Sequence, residues 1–278
     1  MTANSKAFDA NLSAWKDWQS TPWGRLRYSI VRANLDRHLE PRTLRILDVG
    51  GGNGLDVIAL AEEGHYVSIV DFSAAMLSEA RRNAEASGVA DRVTLHQADL
   101  TSIPNLFADG VFDVVLCHNL MQYADGVRAM LVAVSQPLRQ DGLLSLLSVN
   151  RYSEALRHAL QRLDFPKALD ELDATSAVAD LFGVPVRRFV SMQLLPPLRA
   201  AGFSVVAQYG VRCVCDYIAD NELKADPAYF AELERLERAM SDRYPYYLLA
   251  RYFQIIARKS SSGSPDTGDE SSGGSNNP

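Results

Sequence analysis

Asp48, Gly50, Gly52, Gly54 and Asp71 are the residues whose types and spacing could do chemistry. Glycines at alternate positions behind an aspartate make a tight turn whose backbone N–H groups stay open to a ligand. A carboxylate 21 residues beyond Gly50 can accept both hydroxyls of a ribose. The set suits an adenosine-bearing cofactor. A dinucleotide fingerprint, G-x-G-x-x-G, would place its third glycine at position 55. Leu55 stands there, and the glycine falls one position earlier, at Gly54. Further along, Ala98-Asp99 ends one apolar run and His118-Asn119 ends another, both where ligands of an open sheet bind.

The elements that must position these residues follow from the pattern. Strands over 45–50, 66–70, 93–98, 112–118 and 143–149 alternate with helices over 54–62, 73–87 and 125–139. Gly64, Gly88 and Asp141-Gly142 mark the stops. Near-continuous apolar runs such as Phe112 to Cys117 suit strands covered on both faces. The fold class is therefore α/β, a doubly wound and mostly parallel sheet. Two helices over the first forty residues precede it, the second opened by Thr21-Pro22. A polar helical insertion or lid spans 151–190. Helix 190–201, strand 203–210, a helix opened by Asp226-Pro227 and a last, antiparallel strand over 248–257 complete a seven-stranded sheet. Residues 1–259 form one domain, and the Ser- and Gly-rich tail, 260–278, reads as disordered.

Composition narrows the function classes. The chain has 278 residues, 47% of them hydrophobic, and a net charge of −6. Asp266, Asp269 and Glu270 in the tail account for half of that charge. A polyanion site would have to be a local patch rather than a global field. No apolar run reaches the ~20 residues of a membrane span, and the N-terminus lacks a signal peptide's apolar centre. Cys117, Cys213 and Cys215 are too few for a disulfide scaffold or a metal cluster. Cys213 and Cys215 alternate as on a strand. The expected location is cytoplasmic, with no metal and no membrane partner.

The D-x-G-x-G-x-G turn followed by Asp71 resembles motif I of the class I methyltransferases, whose S-adenosylmethionine has no pyrophosphate to seat. Further elements are more specific: Trp23-Gly24-Arg25-Leu26-Arg27, Gly64-His65, Asp71-Phe72-Ser73-Ala74-Ala75-Met76-Leu77, Gly210-Val211-Arg212 with Asp216-Tyr217, and Arg251-Tyr252 leading to Ala257-Arg258-Lys259. Together they resemble the bacterial tRNA 5-carboxymethoxyuridine methyltransferase family from about residue 20 to residue 259. The chain departs from that pattern in lacking a lysine-rich run near 180–188, and in having Gln122-Tyr123 after the fourth strand.

The resemblance implies roles. Arg27, otherwise one more surface arginine on an amphipathic helix, would reach the methionine carboxylate of S-adenosyl-L-methionine. Gly50, Gly51 and Gly52 would lie against the cofactor, Asp71 would take the ribose, Ala98 and Asp99 would border the adenine, and His118 would line the methionine end. The implied reaction is methyl transfer to the carboxylate of a modified wobble uridine. Such a carboxylate, with a pKa near ~4, is ionised at neutral pH and needs no general base. Arg212, Arg199, Arg151 and Tyr152 are the candidates to hold it. Arg157, Arg162, Lys167, Arg187-Arg188, Arg243, Tyr244, Tyr246 and Tyr247 could contact tRNA phosphates and bases. The alternatives are a methyltransferase acting on a small carboxylate or hydroxyl, a nicotinamide or flavin oxidoreductase, and a non-catalytic cofactor-binding module.

Overall fold

The structure is a computed structural model that describes residues 3–124 and 126–260. Its frame is a seven-stranded sheet built by alternation of strand and helix. The strands are β1 (Arg45–Val49), β2 (Tyr66–Asp71), β3 (Val93–Gln97), β4 (Phe112–His118), β5 (Leu138–Val149), β8 (Phe203–Val211) and β9 (Tyr252–Lys259), in the order β3-β2-β1-β4-β5-β9-β8. A separate hairpin, β6 (Ser176–Val178) and β7 (Pro185–Arg187), lies in the insertion. The first five strands run parallel, and β9 is antiparallel to both β5 and β8. The chain order reverses between β1 and β4. There the strand ends part and leave a crevice outside their carboxyl ends.

Side-chain alternation distributes the core over two faces. Leu47 and Val49 of β1 join Val115, Leu146 and Ile255 on one face, with Ile103 of α6 (Ile103–Leu106) and Met130, Leu131 and Val134 of α7 (Val127–Ser135). Ile46 joins Ile69, Leu116 and Ile256 on the other, under Leu60 of α4 (Ile58–Glu62) and Leu77, Ala80 and Ala84 of α5 (Ala74–Ala86). At the carboxyl edge, Leu26, Ile30 and Val31 of α3 (Pro22–Asp36) pack on Leu147, Val211 and Tyr252. The α3 start has its expected cap: the Thr21 hydroxyl accepts from the Gly24 N–H at 3.0 Å, with Pro22 in the first turn.

Some boundaries differ from the sequence reading. Three helices precede the sheet, because α1 (Ala3–Ala10) and α2 (Leu12–Ser20) are separate. Helix α4 begins at Ile58 because Gly54 takes φ +79° and keeps 54–57 as a turn. Pro137 has no N–H for a helix, so α7 ends at Ser135 and β5 starts at Leu138. A short helical turn, Tyr246–Leu249, occupies the predicted start of β9. The insertion holds α8 (Tyr152–Leu156), a π-turn (Arg157–Gln161), α9 (Phe165–Glu171) and the β6–β7 hairpin. Residues 261–278, where the disordered tail was expected, lie outside the described residues. Ser260 is described and donates its N–H to the Gly202 carbonyl at 2.8 Å.

Candidate cofactor and substrate cleft

The crevice is a cavity of about 620 Å³, floored by the turn after β1 and the ends of β2 and β4. Helices α1–α3 wall one side and the insertion hairpin the other. Its floor is made for close approach. Gly52 has φ +55°, and a Cβ there would meet nothing nearer than the Met76 sulfur at 3.9 Å, so its backbone faces the open cleft. Gly51 is fixed from below, since its Cβ would fall 2.5 Å from the Asp48 carboxylate. Asp71 Oδ2 accepts from the Gly52 N–H at 2.9 Å and Oδ1 from the Ser73 N–H at 2.8 Å. Burial nevertheless pushes its carboxyl up to about 6.

Arg27 is 2% exposed rather than a surface residue. Its Nη1 pairs with Asp56 Oδ1 at 2.5 Å, and the guanidinium lies 4.4 Å from the centre of the Tyr28 ring. His118 Nδ1 stands 3.4 Å from Asp56 Oδ2, while its Nε2 meets the Ser145 hydroxyl at 2.9 Å. Burial alone would raise the Asp56 carboxyl, but Arg27 and His118 hold it well below the usual carboxylate range. Sequence reasoning missed Asp56, whose only signal was its place two residues past Gly54.

Several buried polar atoms of this region have no hydrogen-bond partner among the described residues: Arg27 Nε, Asn119 Oδ1 and Gln122 Oε1. Native interiors rarely leave such groups unpaired. A mixed set of donors and acceptors around one cavity fits a ligand bearing ammonium, carboxylate and hydroxyl groups, as S-adenosylmethionine does.

Toward the insertion, Arg212 is 4% exposed with φ +63°. Its Nε donates to Asp216 Oδ2 at 2.6 Å and its Nη2 to Oδ1. Its Nη1 keeps only a 3.4 Å contact to the Trp23 carbonyl. Burial would lower the guanidinium pKa, but Asp216 carries it above the ordinary arginine value. Rings of Trp18 and Tyr252 lie 5.9 and 5.3 Å from it. Arg251 and Arg157 share Glu154. Residues Cys213 and Cys215 are not on a strand: β8 ends at Val211, and the fully buried Glu237 carboxylate draws the next N–H groups into a turn. It accepts from Cys213, from Val214 at 3.0 Å and from Cys215 at 2.8 Å. Burial pushes the Cys117 and Cys215 thiols up to about 12 and raises the Cys213 thiol as well, which keeps all three protonated at neutral pH.

The other sequence candidates fall elsewhere. Asp99 is exposed and caps the following turn, with Oδ1 accepting from Thr101 N at 3.0 Å and Ser102 N at 3.2 Å. Ala98 donates its N–H to the Asp71 carbonyl at 3.1 Å, and neither residue lines the cleft. Tyr152 is 45% exposed, with Arg151 stacked 5.9 Å from its ring, and both lie off the lining. Arg199, in α10 (Leu195–Ala200), precedes Phe203, which pairs with Lys259 at the opposite edge of the sheet. It is too far round the molecule to serve the cleft. Gly50, Gly51, Gly52, Asp71, His118, Arg27 and Arg212 are brought together.

A model of the methyltransferase domain matches residues 46–142. The tRNA 5-carboxymethoxyuridine methyltransferase of Escherichia coli K12 is 30% identical over 244 residues, covering 86% of this chain and 90% of that enzyme. The chain belongs to that enzyme's family, among the S-adenosylmethionine-dependent methyltransferases. Solved structures agree on the fold. A methyltransferase from Thermotoga maritima superposes with a TM-score of 0.61 at 16% identity, over 91% of this chain and 99% of that one. The 1,6-didemethyltoxoflavin-N1-methyltransferase of Burkholderia thailandensis, solved with S-adenosylhomocysteine, gives 0.58 at 19% identity, over 93% and 87%. Among the described residues, no helix of this methyltransferase is long and apolar enough to cross a membrane.

Proposed function

We propose that this enzyme methylates the carboxylate of 5-carboxymethoxyuridine at the wobble position of tRNA, giving the methyl ester. The observation that carries the reading is the likeness to the E. coli tRNA enzyme over nearly the whole of both chains. The likeness extends past the shared methyltransferase core into the segments that wall the cleft. Arg162, Arg187 and Arg188 of the insertion line that wall, where they can meet tRNA phosphates. In contrast, Lys167 and Arg188 both pair with Glu171, so a phosphate must compete with a carboxylate there.

On this reading Asp71 takes the ribose hydroxyls, the Gly50–Gly52 backbone lies against the cofactor, and Arg27 and His118 face its methionine end. When bound, S-adenosylmethionine supplies an electrophilic methyl on a sulfonium, which takes the bonding electron pair and departs as a thioether. The acceptor carboxylate is already ionised, so no side chain need remove a proton. Arg212 orients it through Nη1, because Asp216 occupies the other edge of the guanidinium. Trp18, Trp23 and Tyr252 exclude water around it. Alignment of this kind can supply about 7–11 kcal/mol of the barrier.

The test uses purified protein, labelled cofactor and tRNA from cells lacking the enzyme, followed by nucleoside mass spectrometry. The methyl ester should form with the native protein and not with Asp71→Ala. Cofactor binding without transfer to tRNA would refute the tRNA reading and leave a small carboxylate or hydroxyl as the acceptor.

A further inference from the structure

The Arg212 guanidinium orients an anion but brings little net charge to one, because Asp216 already balances it. Lys224 is different. It sits on α11 (Asn221–Ala225), is 2% exposed and lines the same cleft. Its Nζ donates to the Ile218 carbonyl at 2.9 Å and makes a long contact, 3.4 Å, to the Cys215 carbonyl. It also stands 5.2 Å from the centre of the Trp23 ring, the residue whose carbonyl meets Arg212 Nη1. Among the described residues no carboxylate forms an ion pair with it, and Asp216 on the same wall is engaged by Arg212 and Arg251. Arg157 and Arg251 also share one carboxylate, but their side chains keep 15% and 16% exposure and part of their hydration. An ammonium taken out of water without a counter-ion is expensive, and two carbonyls and an indole face only soften that cost. An anionic ligand in the cleft would relieve it.

We propose that Lys224 is the group by which this site reads substrate charge, supplying beside Trp23 the positive charge that a substrate carboxylate neutralises. The assignment rests on the proposed acceptor being a carboxylate. It also explains release, since the methyl ester is neutral and loses the attraction that held the acid. Lys224 is then a specificity residue, and its removal should abolish the preference for acid over ester rather than weaken all ligands alike.

The experiment measures binding of 5-carboxymethoxyuridine, its methyl ester, and a panel of small carboxylates with their esters, by calorimetry in the presence of S-adenosylhomocysteine. Transfer to tRNA is assayed in parallel. The native protein should prefer acid to ester by about tenfold or more, as expected for a charge-assisted contact. Lys224→Gln, which can still donate to the carbonyls, should bring the two within about threefold without changing affinity for S-adenosylhomocysteine. Lys224→Met, which keeps an apolar stem on Trp23, carries the same expectation and serves if the glutamine variant does not fold. A preserved acid preference in either variant overturns the assignment, as does equal binding of acid and ester by the native protein. If tRNA accepts no methyl but small acids are still preferred and the preference falls with Lys224, the assignment stands and the tRNA reading fails.

Discussion

Removing the Arg27 guanidinium as Arg27→Met separates the structural duty seen in its pair with Asp56 from the cofactor duty proposed above. The first is structural. Asp56, whose side chain is 15% exposed, would lose its main counter-ion. Breaking a buried pair in this way costs roughly 3–5 kcal/mol. His118 at 3.4 Å can take part of the load, which brings the expected loss to about 2–3 kcal/mol. Asp56→Asn in the same background removes the stranded charge, so the double variant should recover most of that loss. The second, proposed duty is toward the cofactor, through Nε, which has no partner among the described residues. A hydrogen bond from a cation to a carboxylate is worth about 1.5–3 kcal/mol, or roughly a tenfold to hundredfold loss of affinity, and Asp56→Asn cannot restore it. Urea unfolding of the native protein, Arg27→Met, Asp56→Asn and the double variant measures the first quantity, and calorimetric titration with S-adenosylmethionine the second. Recovery of stability without recovery of affinity is the expected pattern. If the double variant binds cofactor as well as the native protein, Arg27 does no more than neutralise Asp56. A coupling below about 0.5 kcal/mol would show that the pair itself is unimportant.

Cofactor affinity should rise with pH through about 6 and level off above 7, because only ionised Asp71 can accept both ribose hydroxyls. At pH 5 the loss should be about tenfold, and a flat titration between pH 5 and 8 would refute the role. The stability of the ligand-free protein moves the other way: a carboxyl raised in the folded state binds its proton more tightly there, so this contribution declines as pH climbs from about 4 to about 6. Arg212→Ala should abolish methyl transfer while leaving cofactor affinity within about twofold, whereas Arg199→Ala should change neither, as single-turnover assays with matched titrations would show. Gly52→Ala should weaken cofactor binding more than it destabilises the fold. The left-handed backbone costs about 1–2 kcal/mol, while the added methyl enters the cleft; equal losses in the two assays would contradict that geometry.

The sheet was legible because its determinants are local. Apolar runs such as Phe112 to Cys117, and turns such as Gly50 to Gly54, announce themselves within a few residues. Asp71 was legible for the same reason, as a carboxylate at a strand end. Asp56, Lys224 and Glu237 were not. A carboxylate near a helix start or a lysine on a short helix reads as solvated surface until tertiary packing buries it, and only the folded chain shows that Glu237 gathers three backbone N–H groups. Arg199 and Asp99 show the opposite case, in which residue type alone does not give placement. Their residue types suit the chemistry, but one lies at the far end of the sheet and the other turns one carboxylate oxygen onto the following turn.

The rim of the cleft carries one more consequence. Phe8 of α1 stacks on Phe182 between β6 and β7, with ring centres 4.0 Å apart, joining the first helix to the insertion across the opening. Phe8 also meets Phe72 and Tyr123 edge-on, at 5.3 and 5.4 Å. An aromatic contact of this kind contributes only about 0.5–1.5 kcal/mol beyond the area it buries. That increment alone would favour the latched rim by roughly twofold to thirteenfold, and the apolar area the rings bury adds to it. A rim held by side-chain contacts worth a few kcal/mol lies within reach of thermal motion, so its opening needs no separate energy source.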